Sequence, residues 1–213
     1  MTHSLHRSGP EKDLKKDFVV MCMPSKGITD AGSTPKVQKH LAICSKHNPI
    51  NLGGAKIGAA CVFSHEQIIN NVCGHVGTYN AVFSDKETVV NVLREEIEEK
   101  IGLSIVISGV YEETKDIAKQ LGIKPHTVNF SLGVWGKREL LPEPEILEIA
   151  TWCGHGLISH NLVRHYFDKV AKGYSAEKAA KEIATPCYCA IANLERIAQI
   201  LERGLSSAKT NAQ

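Results

Sequence analysis

Four residues in two short stretches carry the densest chemistry in the chain: Cys153 and His155 within Trp152-Cys153-Gly154-His155-Gly156, and Cys187 and Cys189 on either side of Tyr188. Thiolate sulfur and neutral imidazole are ligands that zinc and iron accept, so these four residues define a candidate site for a divalent metal, zinc or iron. The same residues support a metal-free chemistry, in which Cys153 or Cys187 is a nucleophile or redox thiol and His155 its base. Cys153 and His155 are therefore also the candidate catalytic pair. A third reading packs the cysteines as small apolar side chains in a non-catalytic domain that binds a small molecule or assembles with itself. A bound metal separates the first reading from the other two.

Spacing limits the kind of site. Each pair has one intervening residue, whereas structural zinc sites use C-x-x-C or longer loops, which argues against a standard zinc finger. A second triplet, Cys73-Gly74-His75, is available to replace one of the pairs. His160 and His165 are five residues apart on one expected helix. That puts them about 140° apart around the axis, so they do not chelate as an i,i+4 pair does.

For the two stretches to meet, the elements between them must bring the chain back. Pro144 opens a helix with Ile146, Leu147 and Ile149 apolar, and it runs out at Cys153-Gly154. Ser159 caps the next, whose Leu162, Val163, Tyr166, Phe167 and Val170 share a face up to Gly173. Ser175 caps a short alanine-rich helix that ends before Pro186. About fourteen residues out and about nine back leave roughly 7 Å for Thr185-Pro186 to span. The last helix, from Cys189 or Ala190 to Gly204, sets the Cys-x-Cys pair at a helix N-terminus, where the dipole favours thiolate. Sulfurs more than about 10 Å apart cannot share one ion with bonds near 2.3 Å.

Upstream, Phe18-Val19-Val20-Met21-Cys22-Met23 reads as a buried strand stopped by Pro24. Thr34-Pro35 starts a helix with Val37, Leu41, Ile43 and Cys44 on its apolar side. The glycine-rich stretch 51–58 has neither the dinucleotide fingerprint nor P-loop spacing and reads as a turn into a strand over 59–63. Ser84 and Glu87 form a capping box for a helix lined by Val89, Val90, Leu93 and Ile97. An apolar run at 103–107, a helix at 112–121 and a second run at 126–134 then suggest a parallel βαβ unit with a right-handed crossover. Ligands gather beyond the carboxyl ends of parallel strands, which makes Ser108, Gly109 and Asn129 candidate cofactor-binding residues, with 135–138 along the same edge.

The expected fold is therefore α/β. A partly parallel sheet over 17–136 contains the βαβ unit, and a helical C-terminal region over 143–204 packs against it in the same globular unit. The composition fits: of 213 residues, 43% are hydrophobic and 23% charged, which excludes disordered and collagen-like classes. A net charge of +2 and 6% aromatics give no basis for nucleic-acid or anionic-membrane binding. No apolar run reaches the ~18 residues of a membrane span, and the N-terminal stretch has no apolar signal core. Seven cysteines, an odd number, point to reduced thiols in a cytoplasmic protein. The expected partner is a small molecule, and self-association into a homo-oligomer is compatible with this reading.

Overall fold

The run Phe18–Met23 forms β1, and its alternation decides the architecture. Val19 and Met21 face one cluster of buried side chains, while Phe18, Val20 and Cys22 face another. A strand buried on both faces must sit inside a sheet covered on both sides. In the computed structural model, which describes residue 5 and residues 7–73 and 77–205, that is the arrangement found. The other strands are β2 (Asn51–Gly54), β3 (Gly58–Ala59), β4 (Tyr79–Phe83) and β5 (Ser104–Ser108), in the order β3-β2-β4-β1-β5.

Every strand pairing among the described residues is antiparallel. β1 runs against β4, from Phe18 opposite Phe83 to Cys22 opposite Tyr79, and against β5, from Val19 opposite Ser108 to Met23 opposite Ser104. β2 pairs antiparallel with both β3 and β4. This corrects the expectation of a partly parallel sheet with a βαβ unit. The strand over 103–107 is present as β5, but residues 126–134 form no strand among the described residues, so no parallel crossover exists. The physical reason is that continuous apolar runs record burial on two faces. Parallel sheets satisfy that condition, and so does an antiparallel sheet with helices on both sides.

One side carries α2 (Thr34–Lys46), α3 (His65–Asn70), α4 (Lys86–Glu98) and α5 (Tyr111–Gln120). The α4 cap is Asp85, whose carboxylate accepts from the Thr88 amide at 2.6 Å, one residue later than the Ser84 expected from sequence. Only Ala59 of the expected strand over 59–63 is in a strand; the chain turns directly after it. A four-residue helix α1 (Glu11–Leu14) precedes β1.

The opposite side carries α6 (Pro144–Ala150), α7 (His160–Ala171), α8 (Ala176–Ala184) and α9 (Leu194–Arg203). Their starts follow from sequence. Pro144 stands at the head of α6, Ser159 accepts from the Leu162 amide, Ser175 from Lys178, and Asn193 from Arg196. Ile146, Ile149, Trp152, Ile183 and Ile197 are fully or almost fully buried and share one cluster with Val19, Met21 and Val82 of the sheet. The helical segment thus has no core apart from the sheet. No helix among the described residues is long and apolar enough to cross a membrane.

Candidate metal centre

The turn between α6 and α7 sets the first half of the site. Gly154 and Gly156 both have left-handed backbones, φ 68° and 67°, a conformation that glycine adopts without steric cost. Chain reversal there leaves Cys153 buried and brings the His155 amide and ring to its sulfur. α7 then leads away, with Val163 and Phe167 buried, and α8 returns. The two are locked side by side where Tyr166 and Tyr174 both donate to the Glu182 carboxylate, at 2.6 and 2.9 Å.

The return delivers Cys187 and Cys189 to Cys153: the three sulfurs all lie within 4.8 Å of one another. The imidazole Nδ1 of His155 is 3.1 Å from the Cys189 sulfur. Tetrahedral ligands with zinc–sulfur bonds near ~2.3 Å stand under about 4 Å apart, so this spacing is close to that of an ion's ligand shell. The sulfurs are dry, with Cys153, Cys187 and Cys189 only 1%, 1% and 5% exposed, while His155 is at the surface.

The cysteine loop is not a helix N-terminus. α9 begins at Leu194, capped by Asn193, and residues 185–193 are turn and extended chain. Its position comes instead from the sheet. The amide of Asn80 on β4 donates to the Cys189 carbonyl at 2.7 Å, and that of Asn51 on β2 donates to the Ala192 carbonyl at 3.1 Å. A guanidinium nitrogen of Arg7 donates to the Ile191 carbonyl at 2.5 Å. Neither asparagine nor Arg7 was singled out from sequence. A polar residue inside an apolar strand, as in Tyr79-Asn80-Ala81-Val82, was the signal available.

Electrostatics favour one shared negative charge. Hydrogen bonds from the Cys187 and Cys189 thiols pull Cys153 well below the ordinary thiol range. Cys187 is correspondingly pushed up by its bond to Cys153, and Cys189 is pushed up to about 11, chiefly by the same neighbour. A divalent ion would replace the two remaining thiol protons. Arg7, buried and close enough to Cys187 to feel its charge, supplies a positive neighbour.

Elsewhere the expected site residues scatter. Ser108 ends β5, Gly109 follows it, and Asn129 lies in an exposed segment that is neither helix nor strand. The reason for grouping them was the end of a parallel sheet, which is absent. Gly109 has a packing explanation: a Cβ there would stand 2.8 Å from the Phe18 ring. Cys73 is exposed, and Gly74 and His75 lie outside the described residues.

A second group of metal-type donors lies across the sheet, where His40, Cys44 and Glu96 also come within 4.8 Å of one another. Here the donors are spent on each other. His40 Nδ1 meets a Glu96 oxygen directly at 2.5 Å, leaving no gap for an ion. The Cys44 sulfur stands 3.9 Å from both ring nitrogens and so lies along neither lone pair. This is a buried ion pair, and the i,i+4 spacing of His40 and Cys44 on α2 was its legible part.

Comparison of the chain with protein-family models, with curated proteins and with solved structures finds no match.

Proposed function

We propose that this chain is a metal-binding protein in which Cys153, Cys187 and Cys189, with His155 as fourth ligand, hold one zinc or ferrous ion. The observation that carries the reading is the convergence of three buried sulfurs, from segments 34 residues apart, around a point that an imidazole also approaches. Three thiolates around a divalent ion leave one net negative charge, which Arg7 is placed to offset. The sulfurs are fixed by the core, whereas His155 sits on a surface turn between two glycines. It is the ligand that an incoming small molecule would displace, since catalytic sites keep one exchangeable position. The reading requires a compartment that keeps thiols reduced, such as the cytoplasm.

Protein made with zinc, iron or cobalt supplied, and purified without oxygen, is expected to carry about one metal per chain. The cobalt form should show the intense visible bands of a tetrahedral thiolate site. Cys187→Ser should lose the metal, and His155→Ala should keep it with weaker affinity and altered bands. Metal-free wild-type protein that takes up no cobalt would overturn the proposal. The competing reading, a metal-free thiol enzyme, draws support from the lowered Cys153 pKa. Its 1% exposure opposes that role, and rapid alkylation of Cys153 in the native protein would decide for it.

A further inference from the structure

We propose that residues 126–135 are a β-strand completed by a second copy of this chain. Each copy lays this segment along the open edge of β5 in its partner, forming a two-fold dimer by reciprocal strand exchange.

The segment has the composition of a strand and none of a strand's partners. Every residue from 122 to 141 is exposed, and apart from one 3-10 turn at Arg138–Leu140 this stretch has no helix or strand. Structureless runs of this length are uncommon inside compact domains. Val128, Phe130, Leu132 and Val134 alternate with Asn129, Ser131 and Gly133, the period that gives a strand one apolar face. That face is in water: Phe130 is 59% exposed, Leu132 85%, Val134 60% and the adjoining Trp135 81%. Within the chain, Phe130 packs edge-on against Tyr111, ring centroids 5.0 Å apart, beside the end of β5.

The same chain carries the matching vacancy in its sheet. Among the described residues β5 pairs with β1 alone, and all five of its residues are half-buried. Ile105 and Ile107 offer a row of apolar side chains on the α2–α5 side, and the alternating row of an added strand would continue it. An open strand edge is a template for another strand.

The occupant follows from the stoichiometry of the joint. Of the two sheet edges among the described residues, β3 has only two residues and β5 has five. Each copy thus has one unpaired strand and one edge long enough to receive it, so two copies satisfy both and the assembly closes at two. A foreign strand on β5 would leave the chain's own segment uncovered. The area is sufficient as well. Val128, Phe130, Leu132, Val134 and Trp135 expose on the order of 600 Å², large for a monomer's apolar patch. Two such segments bring roughly 1,200 Å², the scale of a stable interface.

Sedimentation equilibrium of the full chain at micromolar concentrations tests this, with Leu132→Glu/Val134→Glu as the variant. Both side chains lie in an exposed segment outside every helix, so the variant's helical circular dichroism signal and its unfolding as a monomer should match those of wild type. The expected result is a wild-type dimer whose dissociation constant rises at least about a hundredfold in the variant. Hydrogen exchange should show protected amides in 127–134 of the wild-type dimer that become unprotected on dilution. A wild-type monomer overturns the proposal, with or without protected amides, since protection in a monomer would mean pairing with the chain's own edge. A dimer that the variant forms equally well, or one whose 127–134 amides exchange freely, overturns it too.

Discussion

His40 and Glu96 meet with almost no solvent on either side, 0% and 3% exposed, and this pair makes stability depend on pH in a definite direction. Burial pulls the imidazole's pKa down, but Cys44 and the Glu96 carboxylate outweigh it, so His40 titrates well above its ordinary 6.5. A group whose folded pKa is raised contributes its full stability below the unfolded value and loses it as pH climbs through the folded one. The pair should therefore contribute fully below about pH 6.5 and progressively less above it. Cys22 faces the same ring and is raised by burial to about 11, so it remains a thiol through most of that window. Glu96→Gln is expected to cost roughly 3 kcal/mol at neutral pH. The difference between wild type and variant in urea unfolding should shrink from about pH 6 to about pH 9. A difference that stays constant or grows would show that His40 is neutral in the fold.

At the scale of elements, the loop 185–193 carries a local backbone cost and is seated by close contacts with the sheet. Ala190 holds φ 58°, a left-handed backbone that a Cβ makes expensive, and lies against β2 where Gly53 leaves room. Ala190→Gly should relieve that conformation and stabilise by about 0.5–1 kcal/mol without changing metal affinity. Gly53→Ala should do the opposite. Its new Cβ would stand 2.0 Å from the Gly58 carbonyl and 3.0 Å from the Ala190 methyl, at φ 145°. A loss of about 1–3 kcal/mol, with weaker cobalt binding as the cysteine loop shifts, is expected. Unchanged cobalt affinity in Gly53→Ala would show that the loop is not seated by β2. These contacts explain what the sequence could not tell. Ser159 and Ser175 announced their helices because caps are local. The start of α9 moved from Cys189 or Ala190 to Leu194 because Asn51 and Asn80, more than a hundred residues away in sequence, hold the intervening chain extended. The meeting of Cys153 with Cys187 and Cys189 was legible because only two capped helices separate them. Strand direction was not legible: apolar runs report how many faces are covered, and the segment 126–134 carries a strand's pattern without a paired strand among the described residues.

At the scale of the whole molecule, the N-terminal segment and the start of β1 are tied to α6 and α9 by a charge network whose centre water hardly reaches. Asp17, which enters β1, accepts from Arg7 at 2.5 Å and from Arg196 of α9 at 2.8 Å, with side chains at most 6% exposed. Arg196 also reaches Glu148 of α6, and Arg203 bridges Glu148 to Asp13 of α1. The guanidinium groups of Arg7 and Arg196 lie 5.7 and 5.4 Å from the centre of the buried Trp152 ring, next to Cys153. Removing Asp17 leaves two buried cations without their shared partner, so Asp17→Ala should destabilise by roughly 3–5 kcal/mol. Asp13→Ala, at a partly exposed pair where Arg203 keeps Glu148, should cost less than about 1 kcal/mol. Because β1 lends side chains to both layers, the loss should reach the far side of the sheet. Two probes read the layers separately. Trp152 is fully buried among α6–α9, so in a Trp135→Phe background, where it is the one remaining tryptophan, the fluorescence change on unfolding reports the helical layer. Cys44, on the fully buried face of α2, reports the other layer through alkylation. In that background the two midpoints in urea should coincide, and with Asp17→Ala added they should fall together. If fluorescence shifts while alkylation of Cys44 keeps its wild-type midpoint, the helical layer unfolds by itself and the chain is two units rather than one.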